Sequence, residues 1–254
     1  YFQTLNEEGD RYEVTAIKPR PGKLSDGFAL QRNHYHVILR GVENGTVTER
    51  VKTIDVLKDV FSLSEERERF FDFAHERELK LIISNTTEAG IRFDEADVCR
   101  NLTEMTYPAK LTKFLYERYK AGLGGVYLLP TELIDDNAEA LKRCVDKYIC
   151  LWNLPDDFAV WNETENYYCD TLVDRIVSGY PKEEGTLCHL EEITGGKDAL
   201  MSVGEPYGLW VIQKKGEIEK YLKAGSHGIE VILTKDVDYY KKRKVRSLFP
   251  PSCH

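Results

Sequence analysis

The feature that most constrains this chain is the regular exchange of two kinds of segment along it. Short apolar runs rich in β-branched and aromatic residues alternate with longer stretches whose apolar residues recur every three or four positions. A short apolar run suits a strand covered on both faces, and the longer spacing suits a helix with one buried stripe. Parallel neighbours need a crossover long enough to hold a helix, so repeated strand and helix imply an α/β fold with a mostly parallel sheet flanked by helices. Strands are expected at Glu13 to Lys18, Tyr35 to Arg40, Leu79 to Ser84, Gly125 to Pro130, Gly208 to Gln213 and Glu230 to Thr234. A hairpin turn at Gly41 to Gly45 would add antiparallel pairing at one side.

Four helices are expected between the strands. The first opens at Ser62-Leu63-Ser64-Glu65, which has the spacing of a capping box, and runs to about Glu78. The second starts at Tyr107-Pro108 and places Leu111, Phe114, Leu115 and Tyr119 on one face. The third runs from Asn137 to Trp152, and the fourth from Asp156 to about Ile176. Pro19 to Gly27, Pro181 to Ser202 and the proline-containing end from Ser247 read as loops or boundaries.

With 254 residues, the chain has room for one large domain or two small ones. Its 35 Lys and Arg against 43 Asp and Glu give a net charge of -8, so nucleic acid and anionic membrane surfaces are excluded as general partners. No apolar run approaches the roughly 20 residues that span a bilayer. The start, Tyr1-Phe2-Gln3, has no basic and apolar leader and reads as a cut start rather than a signal peptide. Six cysteines without a C-x-x-C pair fit a reduced cytoplasm, and the histidines do not cluster with them, so no metal site is expected.

Four segments carry candidate chemistry. In Leu81-Ile82-Ile83-Ser84-Asn85-Thr86-Thr87-Glu88 an apolar strand ends abruptly in small polar residues, where ligands of open α/β sheets bind. Asn85, Thr86 and Glu88 are candidate contacts, although the same residues suit a cap or an Asx turn. The shape recurs from Val126 through Pro130-Thr131-Glu132-Leu133 to Asn137, which would serve at least as a helix cap. Asp174 and Arg175 lie in an apolar setting that more often holds a structural ion pair than a catalytic one. The run Lys241-Lys242-Arg243-Lys244 is by default a solvated helix face, but a lysine in a dry cleft can exchange a proton near neutral pH.

Together the strings SNTTEAGI from Ser84, YPAKLT from Tyr107, PTELIDDN from Pro130, TLVDRIVSGYP from Thr171 and YKKRKV from Tyr240 resemble the polyol-specific long-chain dehydrogenases, the mannitol dehydrogenase family. SNTTEAGI and TELIDDN resemble its hexuronate branch, whose members interconvert tagaturonate and altronate. The resemblance implies a Rossmann-like NAD domain over residues 1–238, here without its first βα unit. It also implies the start of a helical substrate domain at 239–254, truncated or altered. Metal-free hydride transfer between NAD and a sugar acid is the implied activity, in a cytoplasmic enzyme of open oligomeric state. Lys244 matches the family lysine that serves as acid or base, Asn137 an asparagine that hydrogen-bonds the reacting oxygen, and Asp174 a substrate-pocket residue. Asn85, Thr86 and Glu88 would face the cofactor. Fructuronate reduction, mannitol oxidation and a non-catalytic α/β module remain alternatives, because two family features are missing. No G-x-G-N-F turn precedes the first strand, and the asparagine and histidine expected after the lysine are Phe249 and Ser252 here.

Overall fold

A computed structural model describes residues 1–43, 45–87 and 89–248, with the side chains of residues 43 and 244–248 outside that description. In chain order the elements begin with α1 (Phe2–Glu7), β1 (Val14–Lys18), α2 (Asp26–Leu30), β2 (Tyr35–Glu43), β3 (Thr46–Ile54) and β4 (Leu57–Ser62). They continue with α3 (Arg67–Ala74), β5 (Leu81–Ser84), α4 (Tyr107–Lys120), β6 (Tyr127–Pro130), α5 (Asn137–Leu151), α6 (Asp156–Glu165), β7 (Tyr167–Tyr168) and β8 (Thr171–Asp174). Last come β9 (Val177–Gly179), α7 (Glu184–Thr194), β10 (Ser202–Gly204), β11 (Leu209–Gln213), β12 (Gly225–Ser226), β13 (Glu230–Thr234) and α8 (Asp238–Leu248). Every one of the six expected apolar runs forms a strand.

The chain divides into two compact units. One comprises Glu66–Val173, Trp210–Gly225 and Val231–His254. Its centre is the parallel sheet β5-β6-β7, in register from Leu81 opposite Tyr127 to Ser84 opposite Pro130. All four residues of β6 are buried, as a strand with partners on both sides and helices on its faces should be. Leu111 and Leu115 of α4, then Ala138, Leu141, Val145 and Ile149 of α5, recur at helical spacing and bury against Val126 and Leu128. The Thr106 side chain caps α4 by accepting from Ala109 N, and Pro108 sits in the first turn, where a missing N–H costs nothing. Arg118, near the end of α4, is buried and donates to the carbonyls of Ala74, Glu76, Leu79 and Gly124. One guanidinium thus ties the end of α3, the lead into β5 and the lead into β6.

The expected fourth helix holds only as far as Glu165. There Asn166 takes an extended conformation and its Oδ1 accepts from Val126 N at 3.0 Å. The next two residues then become β7, because pairing with β6 offers main-chain partners that a continued helix would leave unused. Gly125 makes this junction possible, since a Cβ there would lie 2.1 Å from the Glu165 carbonyl oxygen. Downstream, β8, β11 and β13 lie in a further sheet of order β12-β13-β11-β8.

The other unit comprises Tyr1–Glu65, Asp174–Leu209 and Ser226–Glu230. It holds the parallel pair β1-β4 and a mixed sheet of order β3-β2-β10-β9. The anticipated hairpin is present, but β2 runs on through Gly41 and Glu43 pairs with Thr46; Asn44, between them, lies outside the described residues. Ile38, Leu190 and Met201 make the small core of this sheet. Asp198, almost fully buried, accepts from Gln31 Nε2, His36 N and Leu200 N and sits 2.9 Å from His36 Nδ1. Two expectations need correction here. The capping box does not form: Ser62 ends β4, its hydroxyl donates to Gly22 O, and the helix waits until Arg67. The stretch Pro181 to Ser202, expected as loop, contains α7, whose Leu190 is buried and whose end is set by Gly195 in the left-handed region.

Candidate functional site

Parallel pairing in register brings the carboxyl ends of β5 and β6 side by side, Ser84 opposite Pro130. The expected proximity of the segment from Ser84 to the strand entering Pro130 follows from that register. Beyond the ends, both chains turn polar and lock together. Thr131 donates to Ser84 O through its N–H at 2.8 Å and its hydroxyl at 2.7 Å. The Glu132 side chain, only 3% exposed, accepts from Ser84 Oγ at 3.0 Å on one carboxylate oxygen. Its other oxygen accepts from Thr86 N at 2.9 Å and Thr86 Oγ1 at 2.8 Å. A Cβ on Gly90 would come 1.8 Å from Thr86 Oγ1, so the loop closes on that threonine only because residue 90 has none.

Tyr107, at the start of α4, joins the cluster through a hydrogen bond with the Ser84 side chain. Burial pushes its phenol well above the ordinary range, against that hydrogen bond, and the Glu132 charge pushes it further. Asn137, 1% exposed, opens α5. Its Nδ2 donates to the carbonyls of Pro130 (3.0 Å), Glu132 (3.1 Å) and Thr171 (3.1 Å), while its Oδ1 accepts from Thr171 N at 3.1 Å. In this conformation the amide is committed to main chain on every side, so serving a reacting oxygen would mean exchanging one of those bonds. Thr171 Oγ1 donates to Pro130 O at 2.5 Å and draws the start of β8 into the same cluster.

Of the residues singled out from the sequence, Thr86 and Asn137 meet at Glu132, one through its carboxylate and the other through its carbonyl. Asn85 stands exposed beside Thr86 at the mouth of the sheet. Glu88 lies outside the described residues, as do Phe249 and Ser252. Asp174 ends β8 half-buried, on a strand rather than a helix. Its neighbour Arg175 donates to the carbonyls of Glu205 and Pro206. Lys244 is in α8, and its side chain is outside the description. Lys241, one turn earlier, corrects the expectation of a solvated basic face. Its side chain is 15% exposed, with Nζ 3.6 Å from Asp136 Oδ1 and 3.3 Å from Asp238 Oδ1.

Sequence reasoning passed over Glu132, Tyr107 and Lys241. A carboxylate placed two residues after the end of a four-residue buried strand was an available signal for Glu132, since such a charge must find donors. Among the described residues, no group of three or more His, Cys, Asp or Glu could hold a metal ion. No described helix is long and apolar enough to cross a membrane.

Parallel strands joined through helices, with polar groups gathered at their carboxyl ends, define an α/β ligand-binding domain of Rossmann-like type. The chain belongs to the mannitol dehydrogenase family, whose Rossmann domain matches residues 9–224. Altronate oxidoreductase of Shigella sonnei (strain Ss046) is 35% identical over 250 residues, covering 96% of this chain and 52% of the relative. The same protein of Escherichia coli O157:H7 (strain EC4115 / EHEC) is also 35% identical, with 96% and 51% covered. The chain therefore spans about half the length of the curated relatives it matches. Among solved structures, Pseudomonas fluorescens mannitol 2-dehydrogenase, in a ternary complex with NAD and D-mannitol, superposes with a TM-score of 0.78 at 19% identity over 95% of this chain and 50% of that one. A substrate-free D-sorbitol dehydrogenase gives 0.72 at 17% identity over 96% and 52%.

Proposed function

We propose that this chain is the dinucleotide-binding half of a hexuronate oxidoreductase that interconverts tagaturonate and altronate with NAD. The observation that carries the reading is the 35% identity to altronate oxidoreductases sustained over 96% of the chain. The topology supports it. Within one unit the parallel order β5-β6-β7 matches strands 4-5-6 of the doubly wound order 3-2-1-4-5-6, and within the other the parallel pair β4-β1 matches strands 3-2. Each of β1 and β5 is the edge of its sheet, and Ile83 in the middle of β5 is 42% exposed. A preceding βα unit of the NAD domain would add a partner strand at such an edge. On this reading residues 1–238 are the NAD domain without that unit, and 239–254 begin the substrate domain.

The donor set beyond β5 and β6 fits the nicotinamide end of the cofactor. Asn85 is an exposed neutral amide, and Ser84, Thr86 and Tyr107 are neutral hydroxyls, suited to a carboxamide rather than a phosphate. The sequence has no G-x-G-x-x-G turn of the kind that holds a pyrophosphate. Lys18 ends β1 and Arg20 follows it, where an acidic residue usually selects NAD, but the Lys18 ammonium donates to Lys23 O. The choice of NAD follows the family. Bound NAD would supply the hydride acceptor for altronate and, reduced, the donor for tagaturonate. Lys244 would take the altronate hydroxyl proton or return it to the carbonyl oxygen. Asn137 would hold the turn that faces that oxygen, Asp174 would contribute to the sugar pocket, and Asn85, Thr86 and Glu88 would face the cofactor.

The test is NADH absorbance with altronate and NAD, and with tagaturonate and NADH, for these 254 residues and for the longest product of their gene. Turnover by the long product and none by these residues alone is expected, since removing even one stabilising donor costs about 10² to 10³ in rate. Preference of the long product for fructuronate or mannitol overturns the substrate, and turnover by these residues alone overturns the missing first unit.

A further inference from the structure

Three local departures from rule meet at one ion pair. Asp136 has φ +49° and ψ +48°, a left-handed conformation that few residues other than glycine adopt. It stands at the position preceding α5, where an aspartate ordinarily takes an extended conformation and caps the helix, yet its carboxylate caps nothing. The helix is capped from elsewhere: Asp170 Oδ1 accepts from Ala138 N at 2.9 Å. The Asp136 side chain is therefore free of the duty its position implies. On α8, the Lys241 ammonium is buried and has no hydrogen-bond partner among the described residues, although Asp136 and Asp238 are within ion-pair reach.

A buried ammonium is costly unless opposite charge compensates it, so the two carboxylates are what keep Lys241 in place. Asp238 lies three residues earlier in the same helix and cannot fix α8 against anything else. Asp136 belongs to the β6–α5 turn, which also carries Glu132 and leads into Asn137. We propose that Lys241 is a positioning residue whose contact with Asp136 seats α8, and with it Lys244 three residues on, against the β6–α5 turn. The inference rests on the acid–base role given to Lys244 under the proposed function, and adds a residue that sets where that lysine stands.

Hydrogen exchange of the α8 amides is measured in the 254-residue protein for Lys241→Met, Asp136→Asn, their double variant, Lys241→Arg, and Lys242→Met as an exposed control. Each of the first two raises exchange on the order of tenfold, within the range for one contact between neighbours, and the double variant adds little. Lys241→Arg keeps protection and Lys242→Met leaves it unchanged. Exchange in Lys241→Met no faster than in Lys242→Met, or full additivity in the double variant, overturns the seating of α8. In the longest gene product, Lys241→Met lowers kcat by up to about 100-fold while the NADH dissociation constant holds, and Lys241→Arg recovers it. An equal rise in KM without a fall in kcat overturns the positioning role. If Lys244→Ala keeps full turnover, the acid–base reading falls, while the exchange experiment still decides whether Lys241 seats the helix.

Discussion

Asp97 and Glu132 are both buried carboxylates in the same unit, and they are neutralised in different ways. Asp97, fully buried ahead of α4, accepts from Thr106 N at 3.1 Å, Thr106 Oγ1 at 2.8 Å, Tyr148 OH at 2.6 Å and Arg100 Nη1 at 2.9 Å. Among the described residues Glu132 accepts from Ser84 and Thr86 alone, and no Lys or Arg pairs with it. The first charge is cancelled where it stands and closes a loop onto the start of α4. The second is held by neutral donors alone, at the carboxyl end of a parallel sheet. The pair shows two ways of burying a charge: one met by a cation fastens a loop, and one left to hydroxyls and an amide joins two strand ends.

The largest effect that can break this contrast belongs to Asp97→Ala. It leaves Arg100, Thr106 and Tyr148 short of an acceptor and should cost about 3 to 5 kcal/mol in urea unfolding; a loss no greater than that of Glu132→Ala would erase the distinction. Next comes acid. Burial raises the Asp97 carboxyl, but hydrogen bonds from Tyr148, Arg100 and Thr106 outweigh it and hold the group below the ordinary carboxylate range. A depressed folded pKa stabilises the fold above the unfolded pKa, and that contribution is lost as pH falls through the folded value. Asp97→Asn should therefore flatten the acid limb of unfolding free energy against pH, by at most about 1.4 kcal/mol per pH unit for one proton. An unchanged slope would remove Asp97 from the acid response. Glu132→Gln keeps shape and several acceptor contacts, so a smaller loss of about 1 kcal/mol is expected from chemical denaturation. The smallest effect is Asn85→Ala, within about 0.5 kcal/mol because the side chain is exposed. A larger drop in Tm would make Asn85 part of the frame instead of the mouth.

The periodic parts of the molecule were legible because their signals are local. Leu111, Phe114 and Leu115 announce α4 without reference to any other segment, and the apolar run ending at Pro130 announces β6. What escaped depends on partners far away in sequence. Tyr167 and Tyr168 continue a helical pattern, and become strand because β6 waits beside them. Thr46 to Ile54 is polar and charged on its outer positions, and is a strand through its pairing with β2. Glu132 finds its donors 46 and 48 residues upstream, a distance no motif spans. Lys241 sits in a basic run that composition assigns to solvent, and Asp136, from outside its helix, together with Asp238 withdraws it.

Arg118 also bears on which substitutions this lineage can tolerate. Its guanidinium serves four carbonyls drawn from residues 74 to 79 and from 124, which takes donors splayed in a plane. A lysine offers three protons from one point and would reach only part of that set, leaving buried oxygens unanswered. Exchange of one basic residue for another, ordinarily the mildest of changes, should be among the most poorly tolerated at this position, and a deep mutational scan would find it depleted about as strongly as alanine.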